Sequence, residues 1–569
     1  MKMPMLRRIF FSGLFSVSIR SLGIVTLTIL GACMMPTPAF AAALQQEQPD
    51  TSSTTPQTII STNITTSTTW TKSGSPYQVT QDIAVAAGVT LTVQPGVQVI
   101  FAGNTRLEVL GALRAVGTQA EPILFTGSNK SAGSWEGILF YGNATTTVSG
   151  VFDYTTVEYG GSGTQGGNLY LRYAQVKIDH STIRQGGANG IFGSTMSDVE
   201  VANTNFVGNT SKALWLTNPV HDPILASLSA SNNGQNVVAF GALSQASTIR
   251  FEKMGLPYLI TADLYATAQQ QIIVEAGVEL QFDKNTRLDV RGTITALGTS
   301  NAPILFTGVD KTPGSWEGIL FYGNANAPVS ASFDYVTLEY GGSGTQGGNL
   351  YLSYTRATIN HATVRNGGSH GIFGAVASTV AISDSVFTDN QNYVLWLTDP
   401  LSQPKLVNLS ASGNGKNAVG IGSLSNESQW RFAQMGLPYI VTADLYSPSN
   451  QEVTIEAGVE VRFEPNTRLD VRGKLIAQGT PTAPITLTGS TKTPGSWEGV
   501  LFYGNALSPT LALLDYVTLE YGGTGSQGGN LYLSYGQAAI SHSTIRNGGA
   551  NGIFSSVHSD VDLTDSTVT

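Results

Sequence analysis

The sequence predicts an all-β fold, a parallel β-helix solenoid of short stacked coils, and three observations carry that expectation. Gly133-Ser134-Trp135-Glu136-Gly137 returns as Gly314 to Gly318 and as Gly495 to Gly499, so Trp135, Trp316 and Trp497 are spaced by 181 residues. A finer period lies inside each repeat: Phe152 to Gly161 aligns with Ile178 to Gly187 at an offset of 26, and Val201 to Phe206 follows at 23. Composition agrees, because charged residues make up only 12% and 64 glycines punctuate short apolar-polar alternations such as Thr90-Leu91-Thr92-Val93. Units this short cannot bury a core alone and are stable only stacked on their neighbours.

The N-terminal 41 residues read as an export signal, with Lys2, Arg7 and Arg8 ahead of an apolar core from Leu22 to Leu30 that is short for a membrane span. Two cleavage readings are open. Ala39-Phe40-Ala41 has the small residues a signal peptidase needs and is preferred, while Leu30-Gly31-Ala32-Cys33 resembles a lipoprotein box. The mature chain is then expected outside the cell or on its surface, without a membrane span. Cys33 is the single cysteine, which leaves stacking rather than disulfides to stabilise the fold. Residues 42–69, rich in Ser, Thr, Gln and Pro, read as a linker.

From residue 70 onward the chain reads as one continuous solenoid of three tandem repeats, 70–250, 251–431 and 432–569. The third is expected to be incomplete, because Thr388, the counterpart of Thr569, is followed by further coils that include Leu395-Trp396-Leu397. At roughly 25 residues per coil the array makes about 20 coils and a rod on the order of 100 Å long. Strand alternation points Val157, Ile183, Phe206, Ile178 and Val201 inward, and Glu158 and Arg184 outward on adjacent coils.

These phrases, with Gly111 to Thr118 followed by Pro122 to Thr126, resemble the right-handed parallel β-helix repeats of exported bacterial proteins in the pectin-lyase-like superfamily. The resemblance covers nearly everything after Trp70. It implies the fold, but it spans lyases, hydrolases and adhesins, so activity must be argued from residues.

Glu158 and Arg184 recur as Glu339 with Arg365 and Glu520 with Arg546. They read as cross-coil ion pairs, since an adjacent guanidinium favours the ionised carboxylate and hinders an acid role. Tyr154, His180 and Asn203 occupy equal places in successive coils and read as a stack of turn residues bonded to neighbouring backbone. A metal there is not expected, because no second histidine accompanies the His-Asp pair. Ser369-His370-Gly371 resembles a polygalacturonase motif, but Asn189 and Asn551 stand at its counterparts, and His370 is expected at a surface or turn. Gly160 to Gly167 contains no acid for calcium and reads as a flexible lateral loop. No cofactor motif is found. A net charge of −9 with scattered basic residues argues against nucleic acid.

The feature that points to a ligand is aromatic. Trp135, Tyr141, Tyr159, Tyr170 and Tyr173 lie beside the glycine segment with Gln165 and Asn168, and aromatic faces with amides suit saccharide rings. Candidate ligand residues are therefore Trp135, Tyr159 and Asn168, with Trp316, Tyr340 and Asn349, and Trp497, Tyr521 and Asn530. The competing reading has these rings filling the core. Triplication favours a non-enzymatic spacer or adhesive rod that meets extracellular polysaccharide or cell-surface glycan through several sites. The alternative is a polysaccharide lyase or hydrolase, for which no complete catalytic constellation is found.

Overall fold

The computed structural model describes residues 57–569, so the export signal, its cleavage sites, Cys33 and most of the linker segment lie outside the described residues. Described strands alternate buried and exposed side chains: in Thr90–Val93, Leu91 and Val93 face the core while the threonines face out. Each strand hydrogen-bonds in parallel to the strand one coil earlier and one coil later, which builds a right-handed parallel β-helix of about 21 turns. Helix is confined, among the described residues, to one 3₁₀ turn at Lys72–Gly74.

The inner period is borne out by register. Phe152 pairs with Ile178 and Ile178 with Val201, while Val157 pairs with Ile183 and Ile183 with Phe206. All of these side chains are buried. The stack starts earlier than the composition suggests, because Thr58–Ile60 pairs with Tyr77–Val79 and Thr68–Trp70 with Thr90–Val93. The end of the segment read as linker thus forms strand: its β-branched threonines suit a pleated surface, and Ile64 and Trp70 close the first coil's core.

Corners are made by residues in the left-handed region. Tyr154, His180 and Asn203 have φ of 44°, 41° and 46°. The Tyr154 and His180 rings stack at 4.7 Å, and Asn203 donates to Asp179 Oδ1. The expected corner stack is present, held by ring faces and side-chain bonds more than by bonds to neighbouring backbone.

The three faces of the coil are not continuous in role along the rod. The strands of residues 83–240 that include Gly137–Tyr141 and Gly167–Arg172 form one sheet, which continues into Tyr258–Ile260, Glu279–Phe282 and Val336–Glu339. Yet Gly318–Tyr322, the counterpart of Gly137–Tyr141 at +181, lies in a different sheet, which begins at Leu264–Ala266. That sheet in turn continues into Tyr439–Val441 and Val517–Glu520. Each 181-residue step therefore moves an equivalent surface one face further round the coil.

Candidate functional site

The tryptophans expected to meet ligand are core residues. Trp135, Trp316 and Trp497 have no exposed surface. Each stacks on a phenylalanine, Trp135 on Phe101 at 3.9 Å, Trp316 on Phe282 at 4.1 Å and Trp497 on Phe463 at 4.0 Å. Each indole N–H donates to the carbonyl of the buried glutamate's residue, at 2.8, 2.9 and 3.0 Å for Glu158, Glu339 and Glu520. Burying so large a ring and satisfying its single donor is favourable, and that outweighs surface display.

Asn168, Asn349 and Asn530 are likewise fully buried. Asn168 Oδ1 accepts from Gly160 N at 2.7 Å, and its amide donates to Asn209 Oδ1 at 2.9 Å. Asn209 donates in turn to Asn233 at 2.8 Å, and Asn349, Asn390 and Asn414 repeat the ladder. Tyr159, Tyr340 and Tyr521 are half-buried turn residues with φ of 63°, 63° and 64°, each packed on the core beside Lys130, Lys311 or Lys492. The structure thus places the six tryptophans and asparagines in the interior and the three tyrosines, half-buried, at turns.

The glutamates pair with arginine as expected, but they do not face solvent. Glu158 is 4% exposed. Its carboxylate accepts from Arg184 Nε at 2.7 Å and from Thr126 Oγ1 at 2.7 Å, with Lys130 Nζ at 3.7 Å. Glu339 and Glu520 repeat the arrangement with Arg365, Thr307 and Lys311, and with Arg546, Thr488 and Lys492. Each of these carboxylates is thus held beneath the surface by two cations and a hydroxyl.

The glycine segment is a lateral loop pinned by backbone bonds rather than a loose one: Gly161 N donates to Glu136 O and Ser162 N to Trp135 O, both at 3.1 Å. Gly187 passes so close to Gly133 that a Cβ there would lie 2.7 Å from the Gly133 Cα. Side chains at this crossing would force the two loops apart.

The exposed aromatic surface lies elsewhere, on the outward face of the sheet containing Gly137–Tyr141. Register places Tyr170 opposite Phe192 and Phe192 opposite Trp215 on successive coils. Tyr141 leans on Tyr170 at 5.3 Å, and the next steps measure 5.9 and 4.9 Å. All four rings are half-exposed. Tyr322, Tyr351, Phe373 and Trp396 repeat the strip at 5.4, 5.6 and 4.9 Å, and Tyr503, Tyr532 and Phe554 at 5.3 and 5.7 Å. Beyond Trp215 the strip runs into the buried Ala239 and Leu259, covered by Val309. Tyr141 and Tyr170 belong to the aromatic set noted in the sequence. Phe192 and Trp215 escaped it, although the successive steps of 22 from Tyr170 to Phe192 and 23 from Phe192 to Trp215 match the coil period and mark them.

Two further groups carry chemistry. Asp153, Asp179 and His180 bring one ligand atom each within 4.8 Å of one another, but His180 Nδ1 is already bonded to Asp153 at 3.1 Å, and Asn360 and Ser541 replace Asp179 in the later copies. His370, expected at the surface, is 5% exposed. It sits among Phe373, Tyr393 and Trp396 with its Nδ1 buried and unpartnered. Burial, with a smaller contribution from Lys416, pushes its pKa down to about 4.

Residues 62–196 and 244–380 match the family model of the pectate-lyase like beta helix domain. The two matches fall on corresponding parts of successive 181-residue units and bear out the resemblance seen in the sequence. No curated protein and no solved structure matches the chain.

Proposed function

We propose that the chain is an exported, non-enzymatic β-helical rod that binds extracellular glycan along its aromatic strips. The observation that carries this reading is the strip itself: half-exposed rings in contact from coil to coil, Tyr141-Tyr170-Phe192-Trp215, recurring as Tyr322-Tyr351-Phe373-Trp396. A globular protein gains little by leaving such a row uncovered, whereas the C–H faces of sugar rings stack well on it. The carboxylates best placed by the sequence for cleavage chemistry, Glu158, Glu339 and Glu520, are held by cations, which supports binding over catalysis. Because successive strips lie on different sheets, one rod holds separate glycan chains on separate sides and cross-links them rather than clamping one chain repeatedly.

A glycan array probed with the whole chain tests the reading. The intact protein is expected to bind a defined set of oligosaccharides and to make solutions of the matching polysaccharide turbid. Replacing Phe192, Trp215, Phe373, Trp396 and Phe554 by alanine, which disrupts all three strips, is expected to abolish both with the β-sheet spectrum retained. Release of shortened or unsaturated sugars by the intact protein would overturn the proposal in favour of a lyase or hydrolase.

A further inference from the structure

At the Tyr322 end of the second strip lies a cavity of about 590 Å³ lined by Arg287, Asp289, Arg291, Tyr322, Asn324 and Gln346. This volume is within the usual range of small-molecule sites. Its counterpart at +181, about 410 Å³, is lined by Tyr446, Arg472, Tyr503 and Asn505. Tyr322 and Tyr503 each belong both to a cavity and to a strip, so a chain lying on the strip ends in the cavity. The first repeat has Leu110 where these have Arg291 and Arg472, and Ala84 where they have Tyr265 and Tyr446.

We infer that the two cavities are end subsites for an uncharged sugar of a neutral glycan. The inference rests on the glycan-binding reading of the strips and adds the ligand class. Two arginines in a cavity suggest an anion, but each is already neutralised. Arg291 Nε and Nη2 meet Asp289 at 3.2 and 3.4 Å, and Asp289 is 3% exposed. Arg287 meets Glu317 at 2.8 Å and Asp263 at 3.4 Å and donates to Tyr265 Oη at 3.0 Å. Two cations thus face three carboxylates, and the third repeat has the same balance: Arg472 with Asp470, and Arg468 with Glu498 and Asp444. A uronate or sulfate entering this site would meet the carboxylates, which costs more than the guanidiniums return.

An uncharged sugar escapes that penalty and uses what remains. Arg291 keeps guanidinium N–H groups not committed to Asp289, Asn324 and Gln346 add amides, and Tyr322 supplies a phenol and a ring face. In the third repeat Arg472 lies over both Tyr446 and Tyr503, at 4.8 and 5.9 Å, so the aromatic walls are held by the paired cation. Asp289 and Asp470 act here as positioning residues that fix the arginines and cancel their charge.

The test compares neutral oligosaccharides (cello-, manno- and xylo-oligosaccharides) with oligogalacturonates of equal length, by affinity electrophoresis and calorimetry on the whole chain. The wild type is expected to bind a neutral series with affinity unchanged between roughly 50 and 500 mM salt, since no net charge is exchanged. Arg291→Gln with Arg472→Gln is expected to weaken that binding at least tenfold with the β-sheet spectrum retained, although Tm falls because Asp289 and Asp470 lose their partners. Asp289→Asn with Asp470→Asn is expected to raise oligogalacturonate affinity at least tenfold by freeing the arginines. Tighter wild-type binding of oligogalacturonates than of the neutral series, falling with salt, would overturn the neutral assignment and leave the strips standing. Neutral binding untouched by the arginine pair would overturn the cavities as subsites. Binding of neither class would remove the glycan reading and this inference with it.

Discussion

Protonation of His370 should loosen one coil of this rod while its counterpart one repeat earlier stays closed. His370 lies in His370–Val376, 5% exposed, against Phe373, Tyr393 and Trp396, with Lys416 bonded to Tyr393 at 2.8 Å and to Glu464 at 2.7 Å. A positive imidazole there would lose its water and gain Lys416 as a like-charged neighbour, and its pKa falls from 6.5 to about 4. In the opened coil the ring returns to its ordinary value. Between pH 6.5 and 4 the opened state therefore binds the proton that the closed state refuses. Stability is complete above pH 6.5, declines as pH falls toward 4, and changes no further below that. The difference in pKa corresponds to about 3 kcal/mol.

Native-state hydrogen exchange read by mass spectrometry isolates this effect, because the counterpart of His370 is Asn189 and the same molecule carries its own control. Opening free energy over 367–397 should fall by roughly 2 to 3 kcal/mol between pH 7 and pH 4, against little change over 186–216. His370→Asn should make the two segments alike. An equal fall in both segments, or a fall that persists in His370→Asn, would refute the reasoning.

Two further outcomes follow from the buried units. Trp316→Ala removes a ring stacked on Phe282 and a donor bonded to Glu339, and should cost about 3 to 5 kcal/mol by urea unfolding, with glycan-strip residues untouched. Asn349→Ala strands the Gly341 N–H and one rung of the asparagine ladder, and a loss of about 1 to 3 kcal/mol is expected, visible as faster exchange at 341 and 390. A loss under about 0.5 kcal/mol in either variant would mean that the lateral loops are held by other contacts.

Fold and site were legible to different degrees because the sequence reports period more directly than direction. The offsets of 26 and 23 define which residues share a coil position, and the register of Phe152, Ile178 and Val201 follows them. The same alternation does not say whether a residue at a strand end, such as Trp135 or Glu158, faces solvent or lies under a lateral loop. A charged residue on an outward position is ordinarily exposed, but Glu158 is covered by Lys130 and Arg184 from neighbouring segments. Nor does a period of 181 reveal that equivalent surfaces move to a new face. That depends on how the stretch between Phe251 and Tyr258 crosses one side of the coil, so that Tyr258–Ile260 seats on Gln235–Phe240. His370 shows the same limit: a histidine between Ser369 and Gly371 looks like a turn, and only the aromatic neighbours from later coils bury it.

The most visible motif in the chain therefore builds the support of the candidate surface, while the surface itself is written less conspicuously. Trp135 anchors the segment before Gly137–Tyr141, and the carbonyls of Trp135 and Glu136 hold the glycine loop through Ser162 and Gly161. That loop carries Gln165 beside Tyr141 at the end of the strip. Buried ring, pinned loop and exposed row thus form one mechanical unit, repeated where Trp316 holds the loop carrying Gln346 beside Tyr322. Near-identity in such a unit is explained by packing alone. Phe192 and Trp215 pack on one outer face with little beyond it, so the strip, more than the tryptophans inside, is where the rod presents itself to a ligand.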